Sequence, residues 1–201
     1  MKTAKKAIVL VMCAALLVVG TVAGTMAYLT DKTETVTNTF TVGNIDITLK
    51  ETTGSAYKMV PGVPIDKDPT VTVVDGSEKC WLFVKIDKSE NFDNFMKYTV
   101  ASEWTELSSG SNVYYREVTT PGAFTILGAG SVTEGSVTFN WIENQVFVSS
   151  TVTKANMDNL TDQTLPKLSF TAYAVQYEGL IDKNHSSTTV DEAWALANPA
   201  T

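Results

Sequence analysis

The chain predicts an all-β fold, an antiparallel sandwich or jelly roll with one or two short helices, set behind a cleavable export signal. Three observations predict it. An uncharged apolar run lies near the N-terminus, two-residue alternation recurs in segment after segment beyond residue 39, and glycine- or proline-bearing turns separate those segments.

The leader comes first. Lys2, Lys5 and Lys6 give a positive start, and Ala7 to Val19 follows without a charge. Thr25-Met26-Ala27 then sets small residues at the spacing a signal peptidase reads, which predicts cleavage after Ala27 and a mature chain beginning at Tyr28. The alternative is an uncleaved anchor, since residues 7–29 carry no charge and about 20 apolar residues cross a bilayer. Gly20, Gly24 and the nearby threonines weaken the second half of that stretch. Cys13 follows Val11-Met12, with no small residue before it, unlike a lipoprotein cysteine.

Removing residues 1–27 from the 201 leaves 174, a size for one domain. The full chain carries 15 Lys and Arg against 22 Asp and Glu, a net charge of −7, and losing three leader lysines makes it −10. Such a balance argues against nucleic acid or anionic lipid as a partner, because phosphate binding needs clustered cations. Contact with a membrane is expected only through the uncleaved leader. Cys80 is the only cysteine left after cleavage, so no intramolecular disulfide is possible.

Residues 28–38 are polar and Thr-rich and read as a flexible or extended arm; residues 39–201 read as the β-domain. Phe40 and Val42 alternate with threonines, and Ile45, Ile47 and Leu49 alternate with polar residues, so the apolar phase switches across Gly43-Asn44. A one-residue switch flips the buried face and predicts a bulge or tight bend there. Thr70 to Val74 is a β-branched strand. Cys80 to Asp87 is the strongest one, with Cys80, Leu82, Val84 and Ile86 forming an apolar face that makes Cys80 a small core residue. Val113–Val118, Val137–Trp141, Val146–Val148 and Leu168–Tyr177 complete the strands. Turns are expected at Pro61-Gly62, Asp75-Gly76, Ser109-Gly110, Pro121-Gly122, Gly128 and Gly130. Helices are expected over Asn91–Tyr98 and Val190–Asn198, the second capped by Thr189 with Asp191 and Glu192 in its first turn.

Catalytic templates fail on inventory. His185 is the only histidine and sits in a loop-like Asp-Lys-Asn-His-Ser-Ser run, so a two-histidine zinc site is impossible and a Ser-His-Asp triad has one candidate base and no nucleophile elbow. Two acid groups, Asp66, Asp68 and Asp75, and Asp87, Glu90 and Asp93, could offer oxygens to Ca²⁺. Neither follows a calcium-loop pattern, so solvated loop acids are the expectation, with no metal and no cofactor. Asn159-Leu160-Thr161 and Asn184-His185-Ser186 fit the glycosylation sequon, a pattern common by chance.

Gly24-Thr25-Met26-Ala27-Tyr28-Leu29-Thr30-Asp31 resembles the junction of proteins exported through the specialised signal peptidase SipW of Gram-positive bacteria. Asn38 to Ile47 and Val60-Pro61-Gly62 are similar to the first strand and following Pro-Gly element of the TasA/camelysin family, so the likeness covers residues 24–62. It implies a jelly-roll domain, export by a SipW-like peptidase, a cell-surface or biofilm-matrix location, and self-association into fibres in which one subunit's N-terminal strand completes the next subunit's sheet. Val36, Phe40 and Val42 would then be the donated side chains. The metalloprotease label of some relatives has no support in a chain with one histidine. The alternative is a monomeric surface adhesin or binding module using aromatics such as Trp104, Tyr114 and Tyr115. A secreted hydrolase built on His185 is a weaker third reading.

Overall fold

The computed structural model describes residues 43–54, 57–177 and 189–199. The expected cleavage residues Thr25, Ala27 and Tyr28, the arm residues Val36, Phe40 and Val42, and His185 lie outside the described residues, as does the chain upstream of the phase switch at Gly43.

The described chain is mostly β, and every strand pairing in it is antiparallel. In chain order the strands are β1 (Ile47–Lys50), β2 (Pro64–Asp66), β3 (Thr70–Val73), β4 (Cys80–Lys88), β5 (Met96–Lys97), β6 (Thr99–Val100) and β7 (Thr105–Glu106). They continue as β8 (Val113–Val118), β9 (Gly122–Thr125), β10 (Leu127–Gly128), β11 (Gly130–Glu134), β12 (Val137–Trp141), β13 (Gln145–Val148) and β14 (Leu168–Gln176). The helices are α1 (Phe92–Phe95), α2 (Lys154–Asp158) and α3 (Val190–Ala197).

Alternation decides the core. Cys80, Leu82, Val84 and Ile86 are at most 1% exposed and pack with Val71 and Val73 of the three-stranded sheet β1-β3-β9. Strand β4 is central in the sheet β14-β4-β8-β7, as its unbroken apolar face predicts. Its second face is also covered. Phe83 is fully buried, and Trp194 of α3 packs on it at 5.3 Å between ring centroids. The remaining strands form the sheet β2-β13-β5, the hairpin β11–β12 and the short pair β10–β6.

Turns at Gly62 and Gly76 fall where expected. Both glycines take φ near +80° (77° and 88°), a conformation that costs a side chain, and the flanking turns close through Val63 N–H to Val60 C=O and Ser77 N–H to Val74 C=O, each at 3.1 Å. Three turn expectations fail: Gly122, Gly128 and Gly130 are strand residues. Gly128 and Gly130 are small for packing reasons. A Cβ on Gly128 would meet Ala101 Cα at 2.8 Å, and one on Gly130 would strike the Trp141 indole and Thr99 Oγ1.

The expected helix over Asn91–Tyr98 shrinks to the single turn α1. Met96 turns extended (φ −137°, ψ 154°), and Met96 and Lys97 pair with Val148 and Phe147 of β13, so tertiary strand pairing overrides local helix preference. Helix α3 matches its expectation, and its Thr189 cap forms a reciprocal box with Glu192. Helix α2 was not foreseen. Its five residues bury nothing and leave no periodic signal, although Thr153 and Asn156 cap it reciprocally.

Candidate functional site: the open side of the sheets

Two edge strands bring the most distinctive surface together. Strand β14 pairs with β4 alone and β1 with β3 alone among the described residues, and β1 lies against β14 without a ladder joining them. Strand β14 (Leu-Ser-Phe-Thr-Ala-Tyr-Ala-Val-Gln) alternates as a sheet strand must. Leu168, Phe170, Ala172 and Ala174 turn to the main core, joined by Ile45 and Ile47, while Tyr173 meets Trp194 edge to face at 5.3 Å.

Between these edges the surface is hollowed. One depression of about 200 Å³ lies between Leu49–Glu51 and Leu168–Phe170. A second, of about 480 Å³, continues past Tyr57, Met59, Phe92 and Leu165. Lys67, Leu168 and Ser169 line both. Leu49 and Leu165 are 36% and 43% exposed, so each end of the hollow offers a large apolar side chain to solvent. Lys67 bridges the middle. Its ammonium pairs with Glu51 at 2.7 Å and lies 5.2 Å and 5.5 Å from the Tyr57 and Phe170 ring centroids. Alongside, Asp68 fixes the 51–54 turn by accepting from the backbone N–H and hydroxyl groups of Thr52 and Thr53. The Thr52 hydroxyl is the chief cause that holds its carboxyl far below the usual range, against a smaller opposing effect of burial.

The expected aromatics scatter. Trp104 is 6% exposed, so it is no binding aromatic: its indole donates to Thr125 C=O at 2.7 Å and its ring faces the Arg116 guanidinium at 5.6 Å. Tyr115 is half-buried beside Trp81 (5.9 Å) and Phe83 (6.4 Å) on the α3 side of the sheet, whereas Tyr114 packs against the main core. Cys80 is buried, and burial pushes its thiol up to about 11, the opposite of what a nucleophile needs.

The acid groups do not converge. Asp66 accepts from Gln145 at 2.8 Å, Asp87 pairs with Lys85 and Asp93 with Lys88, and no cluster of three metal-ligating side chains occurs among the described residues. Among the same residues no helix is long and apolar enough to cross a membrane.

Arg116, the only arginine, escaped sequence reasoning. It stacks 4.0 Å over Phe124 inside the sheets with its Nε unpartnered, and desolvation lowers its pKa. No family model, curated protein or solved structure matches the chain.

Proposed function

We propose that the chain is an exported surface or matrix protein that self-assembles, each copy giving its N-terminal arm to the open sheet edges of the next. The domain is a jelly-roll-like sandwich in this reading, and cleavage after Ala27 by a SipW-like peptidase frees the arm at Tyr28. The observation that carries it is the nine-residue β14 edge, paired on one side only among the described residues and flanked by a hollow that reaches β1. An unpaired edge offers a row of backbone donors and acceptors to an added strand, and alternate side-chain pockets set its register.

Lengths agree. Residues 28–42 number fifteen and reach about 50 Å extended, whereas a nine-residue edge spans about 30 Å, so the arm covers the edge and keeps slack to cross between copies. Val36, Phe40 and Val42 then supply apolar side chains to the hollow between Leu49 and Leu168. Donation from one copy to the next is head-to-tail and does not close, so it builds filaments. Deleting residues 28–36 tests it: the truncated chain should stay monomeric, and assembly at the parental level would refute arm exchange.

The second reading, a monomeric surface binding module, draws on a separate polar cleft of about 520 Å³ lined by Lys88, Asp93, Lys97, Asn112 and Trp141 rather than on the aromatics expected to serve it.

A further inference from the structure

The arm departs from its own domain at one end of the β14 edge, and the hollow opens at the other. Gly43, the first described residue, lies against Glu78, whose side chain a Cβ there would meet at 3.2 Å. Glu78 N–H donates to Asn44 C=O at 2.9 Å, and the next residue, Lys79, accepts from Tyr177 N–H at 3.1 Å. The root of the arm is thereby fixed beside the Tyr177 end of β14. Six residues of extended chain, about 20 Å, separate Gly43 from Leu49, and nine residues, about 30 Å, separate Tyr177 from Leu168. Phe40 stands three residues upstream of Gly43, a reach of about 11 Å. A chain therefore cannot set its own Phe40 or Val42 in its own Leu49–Leu168 hollow. A second copy can.

Alternation then sets the register. From Thr33 to Thr41 every odd-numbered residue of the arm is a threonine, whereas Val36, Phe40 and Val42 all stand at even positions. On β14 the even positions Leu168, Phe170, Ala172 and Ala174 pack on the main core, while Ser169 and Thr171 are exposed. Directly opposite residues of an antiparallel pair share a face, so even must meet even; a one-residue slip would turn the threonine row to the core. Pairing Val42 with Leu168 sets Phe40 on Phe170, Val36 on Ala174 and Thr39 on Thr171. A two-residue slip one way leaves Val42 opposite Pro166, before β14 begins, and the other way sets Val36 on the exposed Gln176.

Polarity follows from the position of the root. An arm antiparallel to β14 enters past Leu168, far from the acceptor's own arm at Tyr177, and leaves that arm free for a third copy. A parallel arm would crowd both roots at one end.

We infer that assembly uses this one register: residues 34–42 of one copy run antiparallel to Leu168–Gln176 of the next, with Phe40 anchored against Phe170 in the hollow. Partner, polarity and contacts all rest on the arm exchange proposed above.

Cysteine pairs in the chain beginning at Tyr28 test it, since Cys80 is buried and Cys13 leaves with the leader. Filaments of a Thr39→Cys, Thr171→Cys chain, once oxidised, should run on a non-reducing gel as a ladder of linked oligomers, because opposed Cα atoms about 5 Å apart suit a disulfide. Thr41→Cys with Ser169→Cys should do the same. Exchanging the partners, Thr39→Cys with Ser169→Cys or Thr41→Cys with Thr171→Cys, should cut linkage about tenfold or more, since the paired residues then stand one position out on the same face. Filaments that link best through the exchanged pairs overturn the register and leave arm exchange standing. An intramolecular bond in a monomer of the Thr39→Cys, Thr171→Cys chain overturns the second copy as donor, and filaments that no pair links overturn the strand pairing. A parent chain that forms no filaments removes arm exchange and the register together.

Discussion

Cys80 opens β4 at zero exposure, facing Val71 and Val73, with its thiol raised by desolvation alone. In the chain from Tyr28 it is the only thiol, so Ellman's reagent should label native protein at the rate of global unfolding and label unfolded protein at once. Rapid native labelling would contradict the burial. Cys80→Ser should cost about 1–3 kcal/mol in urea unfolding, because the hydroxyl has no partner on an apolar face. This residue was legible in the sequence, since its place follows from the same alternation as Leu82, Val84 and Ile86. Trp104 was not. Its neighbours Ser102, Glu103, Thr105 and Glu106 read as a loop, and what buries it, Arg116 and the Thr125 carbonyl, arrives from strands β8 and β9 far along the chain.

At the scale of elements, α3 was read correctly for its cap and incompletely for its purpose. Thr189 and Glu192 announce the start, but nothing local says that Trp194 covers Phe83 and Tyr173. Thr189→Ala should cost about 1 kcal/mol, and Trp194→Ala more, because the buried face of Phe83 is then opened to water. Equal stability of the parent and Trp194→Ala would show that α3 does not cover the sheet. Two carboxylates tie loops down. Asp68 holds the 51–54 turn, and Glu134 holds the end of β11 to Ser149 and Ser150. For Glu134 burial opposes the charged form, and the Ser150 and Ser149 hydrogen bonds with Lys97 nearby outweigh it, so its pKa is lowered too. A carboxyl titrating lower in the folded than in the unfolded chain adds stability that is complete above the unfolded pKa, about 4, and is lost as pH falls through the lower folded value. The urea midpoint should therefore fall on acidification below about pH 4, and Asp68→Asn should make that acid limb shallower. An unchanged limb in the variant would refute the clamp.

For the whole molecule, the all-β class, the central position of β4 and the boundaries of β12 could be read from periodicity, because those strands carry their own alternating pattern, and β8 from its tyrosine-bearing run. The short strands β2, β5, β6, β7 and β10 have two or three residues each, too few for a period, and exist because a neighbour pairs with them. Both candidate surfaces share that origin. The open side joins residues near 50, 67 and 168, and the polar cleft joins residues from Lys88 to Trp141, spacings that no linear motif records. The arm is an expectation drawn from its Thr-rich composition and lies outside the described residues, whereas the edge proposed to receive it emerged only from the sheet order.

The most direct test is electron microscopy of the chain beginning at Tyr28, at rising concentration, beside the same chain with its leader retained. The account predicts regular filaments that lengthen with concentration only once the leader is gone. Monomers in both samples at every concentration would contradict arm exchange and leave a surface binding module defined by its polar cleft.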